Sequence, residues 1–444
     1  MEINWIGFIF LILIAIGVGL KKSFRFIDAF VLVISFNATV VFFVDNSTAI
    51  NLPFALLFLA ALTYFVKNIL LGNPILPKNF NNTFIWLTTI ALIAIVSEIM
   101  PFIINGDYMV LDRYSSGVYY AKDIPLYPNI QWITQLLYFL IGLVVVYLIS
   151  VTYTSVNDIK RLLKLLLTGI TFMIIWGWIG SFSFFLNIPY PNDLFNHLGM
   201  SKGGISILYG WPRMASVTME ASYFAQLLIP IMPFFYWFSQ ENKSFIFNKK
   251  YHTSMYIISM ISLLIAYTTT GVIGVLLITG LLLKNRIRFF NKASKYVLII
   301  SYIGLSALAL VFISIYLVNV SDTYSGIERF KTVYLGFDYF LDYPILGLGW
   351  GVFPTYDLII NLLVNFGILG TVSFSILLFN IFIRFSKKIK LNTIYKPLYK
   401  AGIESLILIL IVSELSGFIY HSQYFWLYVG MAISISSLNL QKTT

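Results

Sequence analysis

Apolar runs recur along the whole chain with only short polar breaks between them. With roughly 20 apolar residues taken as one crossing of a hydrocarbon layer, the pattern predicts helices over 3–20, 27–44, 52–71, 83–104, 130–151, 165–186 and 222–239. In the second half it predicts a hairpin of 254–268 and 271–283, then 296–318, 356–384, 400–420 and 424–438. This is 13 crossings, within a range of 12–14, and it places the N-terminus on the outer side. The first run follows Glu2 rather than a basic segment and has no small-residue cleavage signal, so it reads as a retained helix. No internal repeat and no low-complexity stretch interrupts the pattern.

The polar breaks are of two kinds. One kind is basic: Lys21, Lys22 and Arg25; Lys160 and Arg161; Lys243, Lys249 and Lys250; Lys284, Arg286 and Arg288; and the run from Arg384 to Lys390. Such breaks belong on the cytoplasmic side. The other kind comprises three long segments, 105–129, 187–221 and 319–355, rich in Tyr, Pro, Gly and Asp, which are expected outside. Connections of this length are usually functional or disordered. Their aromatic content favours function, with Tyr108, Tyr114, Tyr119, Tyr120, Tyr127, Tyr190, Tyr209 and Trp211 placed either to stack on sugar rings or to form an interfacial belt.

Composition agrees with this reading. Of 444 residues 59% are hydrophobic and 11% charged, far from the balance of a soluble domain. The expected architecture is an all-α polytopic membrane protein, a single transmembrane domain over 1–444. The net charge of +11 is scattered between apolar runs, which excludes nucleic acid as a partner and fits membrane topology. With no Cys, the chain has no disulfide, thiolate metal site or thiol nucleophile; its three His are 197, 252 and 421.

Two arginines lie on the outer side against the charge bias: Arg213, in Gly210-Trp211-Pro212-Arg213, and Arg329, in Ile327-Glu328-Arg329-Phe330-Lys331. Guanidinium groups there suit phosphate, and two could clamp a pyrophosphate. The competing reading pairs Arg213 with Glu220, and Arg329 with Glu328 or Asp322. Glu220 lies close to the start of the helix predicted over 222–239 and is either favoured by the helix dipole or turned to a cavity. The stretch Pro344-Ile345-Leu346-Gly347-Leu348-Gly349-Trp350-Gly351 has glycines at alternate positions, which permit tight turns and close backbone approach to a ligand. It precedes a membrane run, so it is not a dinucleotide loop.

In these residues the chain resembles the bacterial O-antigen polymerase and O-antigen ligase superfamily, polytopic glycosyltransferases acting on undecaprenyl-diphosphate-linked sugars. That family shows an Arg, then Pro-x-x-Gly-x-Gly-x-Gly, then a helix with Gly-x-x-Gly; here Arg329, Pro344, Gly347, Gly349, Gly351, Gly367 and Gly370 follow in that order. The stretch from Arg213 through Glu220 and Phe224 is similar to the family's earlier motif. Ligases carry a His-Asn pair 11 residues before the first glycine of Gly-x-x-Gly, where this chain has Tyr356-Asp357. The missing histidine favours the polymerase branch over the ligase.

The resemblance implies a membrane glycosyltransferase of the GT-C type in the bacterial cytoplasmic (inner) membrane, with its active site on the periplasmic face. Arg213 and Arg329 would hold the diphosphate, and Glu220 or Asp357 would act on the attacking hydroxyl. Tyr356, Lys331, Trp350, His421, Gly347, Gly349 and Gly351 would contact substrate. It implies an undecaprenyl-diphosphate-linked oligosaccharide and membrane lipid as partners, alongside a chain-length regulator and a flippase. No cofactor and no metal are expected: the outer loops hold no Asp-x-Asp pair, and no phosphate-binding Gly-x-x-x-x-Gly-Lys-Ser/Thr loop occurs. The competing class is a lipid-linked glycan flippase or other transporter, which carries ionisable residues at mid-membrane; here Lys67, Glu98 and Glu414 are the charged residues within runs, and Glu98 and Glu414, near predicted outer ends, fit a cavity mouth as well as a relay.

Overall fold

The computed structural model describes residues 2–21, 23–43, 49–72, 81–111, 123–197, 207–208, 210–241, 245–286, 324–391, 394–416 and 422–438. The predicted run 296–318 lies outside them, as do Tyr114, Tyr119, Tyr120, Tyr209 and His421. The described chain is mostly helical with little sheet, an all-α polytopic architecture. Among the described residues six helical stretches are long and apolar enough to cross a membrane by length and composition, Leu52–Leu70, Asn82–Ile104, Ile130–Thr152, Val156–Phe185, Ala221–Ser239 and Leu358–Lys390, and two further apolar helices, Trp5–Leu20 and Thr269–Leu281, are shorter.

Helix starts follow side-chain chemistry rather than the onset of apolarity. In α1 (Trp5–Leu20) the Asn4 side chain accepts from the Gly7 amide, and in α3 (Leu52–Leu70) Asn51 accepts from Phe54. Helix α7 (Val156–Phe185) begins nine residues before the predicted 165, because Ser155 and Asp158 form a capping box that starts it inside the basic linker. Helix α6 (Ile130–Thr152) starts at Asn129 and α10 (Lys249–Ile265) at Asn248 in the same manner. The predicted hairpin is present as α10 and α11 (Thr269–Arg286), turned at Tyr267, which adopts φ 48.

The predicted helix over 27–44 does not exist. The chain forms only the seven-residue α2 (Phe26–Leu32), a run of turns, and the strand β2 (Val40–Phe43). β2 lies between β1 (Glu2–Ile3) and β3 (Ala49–Asn51), antiparallel to both, with Glu2 opposite Phe43. The turns are buried; their backbone is bonded largely within the segment, as in Phe36 N–H to the Val33 carbonyl and Thr39 N–H to the Phe36 carbonyl, and distant loops supply partners for one carbonyl and for the polar side chains. The Thr39 hydroxyl donates to the Phe195 carbonyl at 2.7 Å, His197 N–H to the Ala38 carbonyl at 3.0 Å, and Met219 N–H to Asn37 Oδ1 at 3.1 Å. Irregular backbone is tolerated in an apolar setting only when protein supplies such partners.

The segment 319–355, read as an irregular loop, contains α12 (Tyr324–Asp342); its Tyr339 and the following Tyr343 pack on the Tyr108 ring. Residues 345–355 then turn inward and are mostly buried between α4 (Asn81–Ser97), α5 (Met100–Ile104), α6 and α13 (Leu358–Lys390). Helix α13 is broken at Gly367, with φ 62 and ψ −167. The inward loop satisfies the break: Ile368 N–H donates to the Pro344 carbonyl at 2.8 Å, Leu369 N–H to Ile345 at 3.3 Å, and Leu348 N–H to the Val364 carbonyl at 2.7 Å. Asn365, fully buried two residues before the break, accepts from Phe353 N–H and donates to the Phe353 carbonyl, both at 2.9 Å.

The basic residues gather at one end of the bundle. There Asp28, fully buried, accepts from Arg25 Nε at 3.1 Å, from Arg161 at 2.6 Å and from the Tyr153 hydroxyl at 2.7 Å. The tyrosine-rich segments occupy the opposite end.

Candidate functional site at the tyrosine-rich end

Arg329 lies in the first turns of α12. Its guanidinium donates to the Leu415 carbonyl at 3.1 Å, at the end of α14 (Lys396–Ser416), and stands 5.4 Å from the centre of the Tyr356 ring. Its Nε is buried with no partner among the described residues. The expected partners Glu328 and Asp322 lie outside the described side chains. Arginine is the cation for such a place because it keeps its charge beside an aromatic face and still has donors to offer.

Asp357 caps α13, with Oδ1 accepting from Ile360 N–H at 2.6 Å, while Oδ2 is buried without a partner among the described residues. Burial pushes its carboxyl up from the ordinary range, and hydrogen bonds from Ile360 and Thr355 oppose that. Glu414 approaches from α14 and accepts a long hydrogen bond from Ile359 N–H at 3.4 Å, close enough to Asp357 for the two carboxylates to repel. Arg329, Tyr356 and the Leu415 carbonyl thus meet where α12, α13 and α14 come together, and the carboxylates Asp357 and Glu414 are the sequence neighbours of the two residues it touches; Arg329 forms no ion pair with either.

A second group forms at the start of α8 (Ala221–Leu228). Glu220 makes no cap hydrogen bond; it accepts from the Ser222 hydroxyl and lies near Tyr223 and Tyr424. Tyr424, on α15 (Gln423–Ser437), is fully buried and donates to Gln226 Oε1. Arg213 follows the two-residue strand Trp211–Pro212 and makes no ion pair with Glu220; its Nε is buried without a partner among the described residues. Its neighbours hold it to α7, where the Ser216 hydroxyl donates to the Met173 carbonyl at 2.5 Å. No shared partner among the described residues joins Arg213 to Arg329.

The glycines take a different part from the one expected. Gly347, Gly349 and Gly351 all have positive φ, and a Cβ on each would meet protein: the Val364 carbonyl at 2.5 Å, Pro101 Cδ at 3.1 Å and Gln135 Cβ at 2.4 Å. Close approach is required, as the spacing suggests, but to neighbouring helices rather than to a ligand. Trp350 is 1% exposed, donates to the Gln135 carbonyl at 3.2 Å and packs on Phe139 and Phe366, so it presents no face to a substrate here. Lys331 is exposed beside Arg329, and Tyr356 sits under it. Tyr108 donates to Asp342, and Tyr190 packs against Trp176. Tyr127 and Trp211 remain exposed.

Glu414, Tyr424 and Gln226 enter the site without having been assigned to it. Gln226, a lone amide in an apolar run, was the available signal. Among the described residues no cluster of acidic or histidine side chains could hold a metal ion. The chain matches no family model and no curated protein.

Proposed function

We propose that the chain is a polysaccharide repeat-unit polymerase that transfers a glycan from undecaprenyl diphosphate onto a lipid-linked repeat unit. The observation that carries this reading is the setting of Arg329. It lies at the end opposite the basic loops, with an unused Nε, and it touches Tyr356 and Leu415, the sequence neighbours of the mutually close carboxylates Asp357 and Glu414. The order of Arg329, Pro344, the three glycines and Gly367 supports it further. In the reaction an acceptor hydroxyl oxygen attacks the anomeric carbon, the bond from that carbon to the diphosphate oxygen breaks, and undecaprenyl diphosphate leaves. Arg329 and Arg213 stabilise the charge that develops on the leaving group. Asp357, whose carboxyl is raised and whose Oδ2 is free, takes the hydroxyl proton ahead of Glu220, which is engaged by Ser222.

The test is ladder formation from a purified lipid-linked repeat unit in proteoliposomes. Wild type is expected to build a ladder, and Arg329→Ala and Arg213→Ala to lose it while remaining folded. A second reading, a flippase for lipid-linked glycans, is favoured by one observation. The break after α4 carries Glu98, with a buried and unpartnered Oε1, and the same inward loop packs on that break and on the break of α13 at Gly367. Transbilayer movement of labelled glycan without any ladder would establish that reading instead.

A further inference from the structure

The basic end holds a site that the polymerase reading does not use. Arg384, Lys387 and Lys388 lie in the last two turns of α13 and border a cleft of about 740 Å3, walled also by α6, the start of α7 and α15. Its remaining polar lining is hydroxyl, from Ser150, Thr154, Ser155, Ser434 and Ser436, and no acidic side chain lines it. The nearest acids are occupied. Asp158 accepts from Ser155 N–H at 3.1 Å and from its hydroxyl at 2.7 Å, and Asp28 is held by Arg25, Arg161 and Tyr153.

Two of the cations are partly engaged at the end of α15, Arg384 with Ser437 Oγ at 3.2 Å and Lys388 with the Leu438 carbonyl at 2.5 Å. Lys387 makes no hydrogen bond or ion pair among the described residues, and Ser150 Oγ is buried in the cleft wall without a partner. This is a half-finished set of donors, positive and rich in hydroxyls.

Arg384 and Lys387 also border a second cleft of about 510 Å3, on their other side between α4 and α13, walled for most of its surface by Ile85, Trp86, Ile376 and Ile383 and otherwise by Asn82 and Asn380. The outer faces beside it are apolar and uncovered, with Ile85 56% and Phe379 64% exposed. A hydroxyl-lined cationic pocket and an apolar groove therefore meet at the same two cations. Free phosphate would satisfy the first and have no use for the second. An anionic glycerophospholipid uses both.

We propose that this end binds the phosphodiester headgroup of such a lipid between Arg384 and Lys387. Its headgroup hydroxyls turn toward Ser150 and Ser434, and an acyl chain lies along the α4–α13 groove past Trp86.

Trp86 makes the test direct. The full chain is reconstituted with phosphatidylglycerol or phosphatidylcholine brominated on the acyl chain, and the fluorescence of Trp86 is taken as the difference between wild type and Trp86→Phe. Phosphatidylglycerol is expected to quench Trp86 at a lower mole fraction than phosphatidylcholine. Lys387→Gln, at an exposed position without partners, is expected to weaken that preference about fivefold, as is typical for one interfacial cation. Ser150→Ala is expected to weaken it less, and Lys67→Gln, on another face of the same end, to leave it intact. Equal quenching by the two lipids, or an unchanged preference in Lys387→Gln, overturns the proposal. Relief of quenching by millimolar inorganic phosphate would make the ligand a soluble anion and overturn the lipid assignment.

Discussion

Substituting Gly367 by alanine isolates the contribution of the helix break and the loop that completes it. At φ 62 and ψ −167 the backbone lies in a region open almost only to glycine, a strain of about 1–3 kcal/mol for any other residue. An added Cβ would stand 2.2 Å from the Ile345 carbonyl oxygen, which is backbone and cannot rotate away. The loop must therefore retreat. In doing so it gives up hydrogen bonds from Ile368, Leu369 and Leu348, at about 1 kcal/mol each. Because retreat relieves part of the strain, the loss lies at about 3–5 kcal/mol rather than at the full sum.

The chain has no cysteine, so a single probe reports the loop. Leu348→Cys, at a fully buried position, is expected to react slowly with a maleimide. With Gly367→Ala added, a loss of even 3 kcal/mol raises the open population roughly a hundredfold, and the labelling rate should rise with it. Gly17→Ala, where a Cβ would meet nothing within 4 Å, is the matched control and should leave labelling unchanged. Equal rates in all three backgrounds would refute the claim that the loop completes the break.

Asp28→Asn should lower thermal stability in detergent by about 2–3 kcal/mol, below the value for a fully buried ion pair because Arg25 and Arg161 keep 40% and 33% of their side-chain surface in solvent; a neutral result would assign the cluster no net worth. Arg329→Lys keeps the charge but not the planar fork that reaches Leu415 and faces Tyr356, so ladder extension in proteoliposomes should fall about tenfold or more, and wild-type rates would remove the arginine from the proposed chemistry. His197 accepts from Val40 N–H through Nδ1, and burial, opposed by Asp193, lowers its pKa from 6.5. The unfolded chain then binds a proton before the folded one does, so stability should decline as the pH drops below about 6.5 and level off below the folded pKa. His197→Gln should flatten that part of a melting-temperature profile, and an unaltered slope would assign it to other groups.

Much of the architecture was legible because apolar length and capping residues are local properties. Asn51, Asn129 and Asp357 each stand where a helix begins, and the basic linkers gather at one end. The segment 27–44 misled because hydropathy sums side-chain transfer and is blind to backbone pairing. Its Val-rich apolar run suits a buried strand as well as a helix, and the groups that satisfy it, at 195–197 and 219, are more than 150 residues away. The glycine motif announced a close approach but not what approaches. At the candidate site, Arg213 and Arg329 stood out because their charge opposes the bias of their side. Glu414 stood out only as a charge within an apolar run and Tyr424 not at all, since both gain meaning from which helices lie beside them.

The interrupted crossing formed by α2 and β2 also constrains how the chain is made. A helix brings its own hydrogen bonds and can enter a bilayer as soon as it leaves the ribosome, whereas the turns at 33–39 rely on Phe195, His197 and Met219, which are synthesised much later. Until residues 195–219 have emerged, the Ala38 carbonyl, the Val40 amide, the Thr39 hydroxyl and the Asn37 side-chain oxygen lack these partners, which lipid cannot replace. The nascent N-terminal hairpin must therefore wait, shielded by the insertion machinery or held at the interface, and chains truncated before about residue 220 should be recognised as incomplete and degraded.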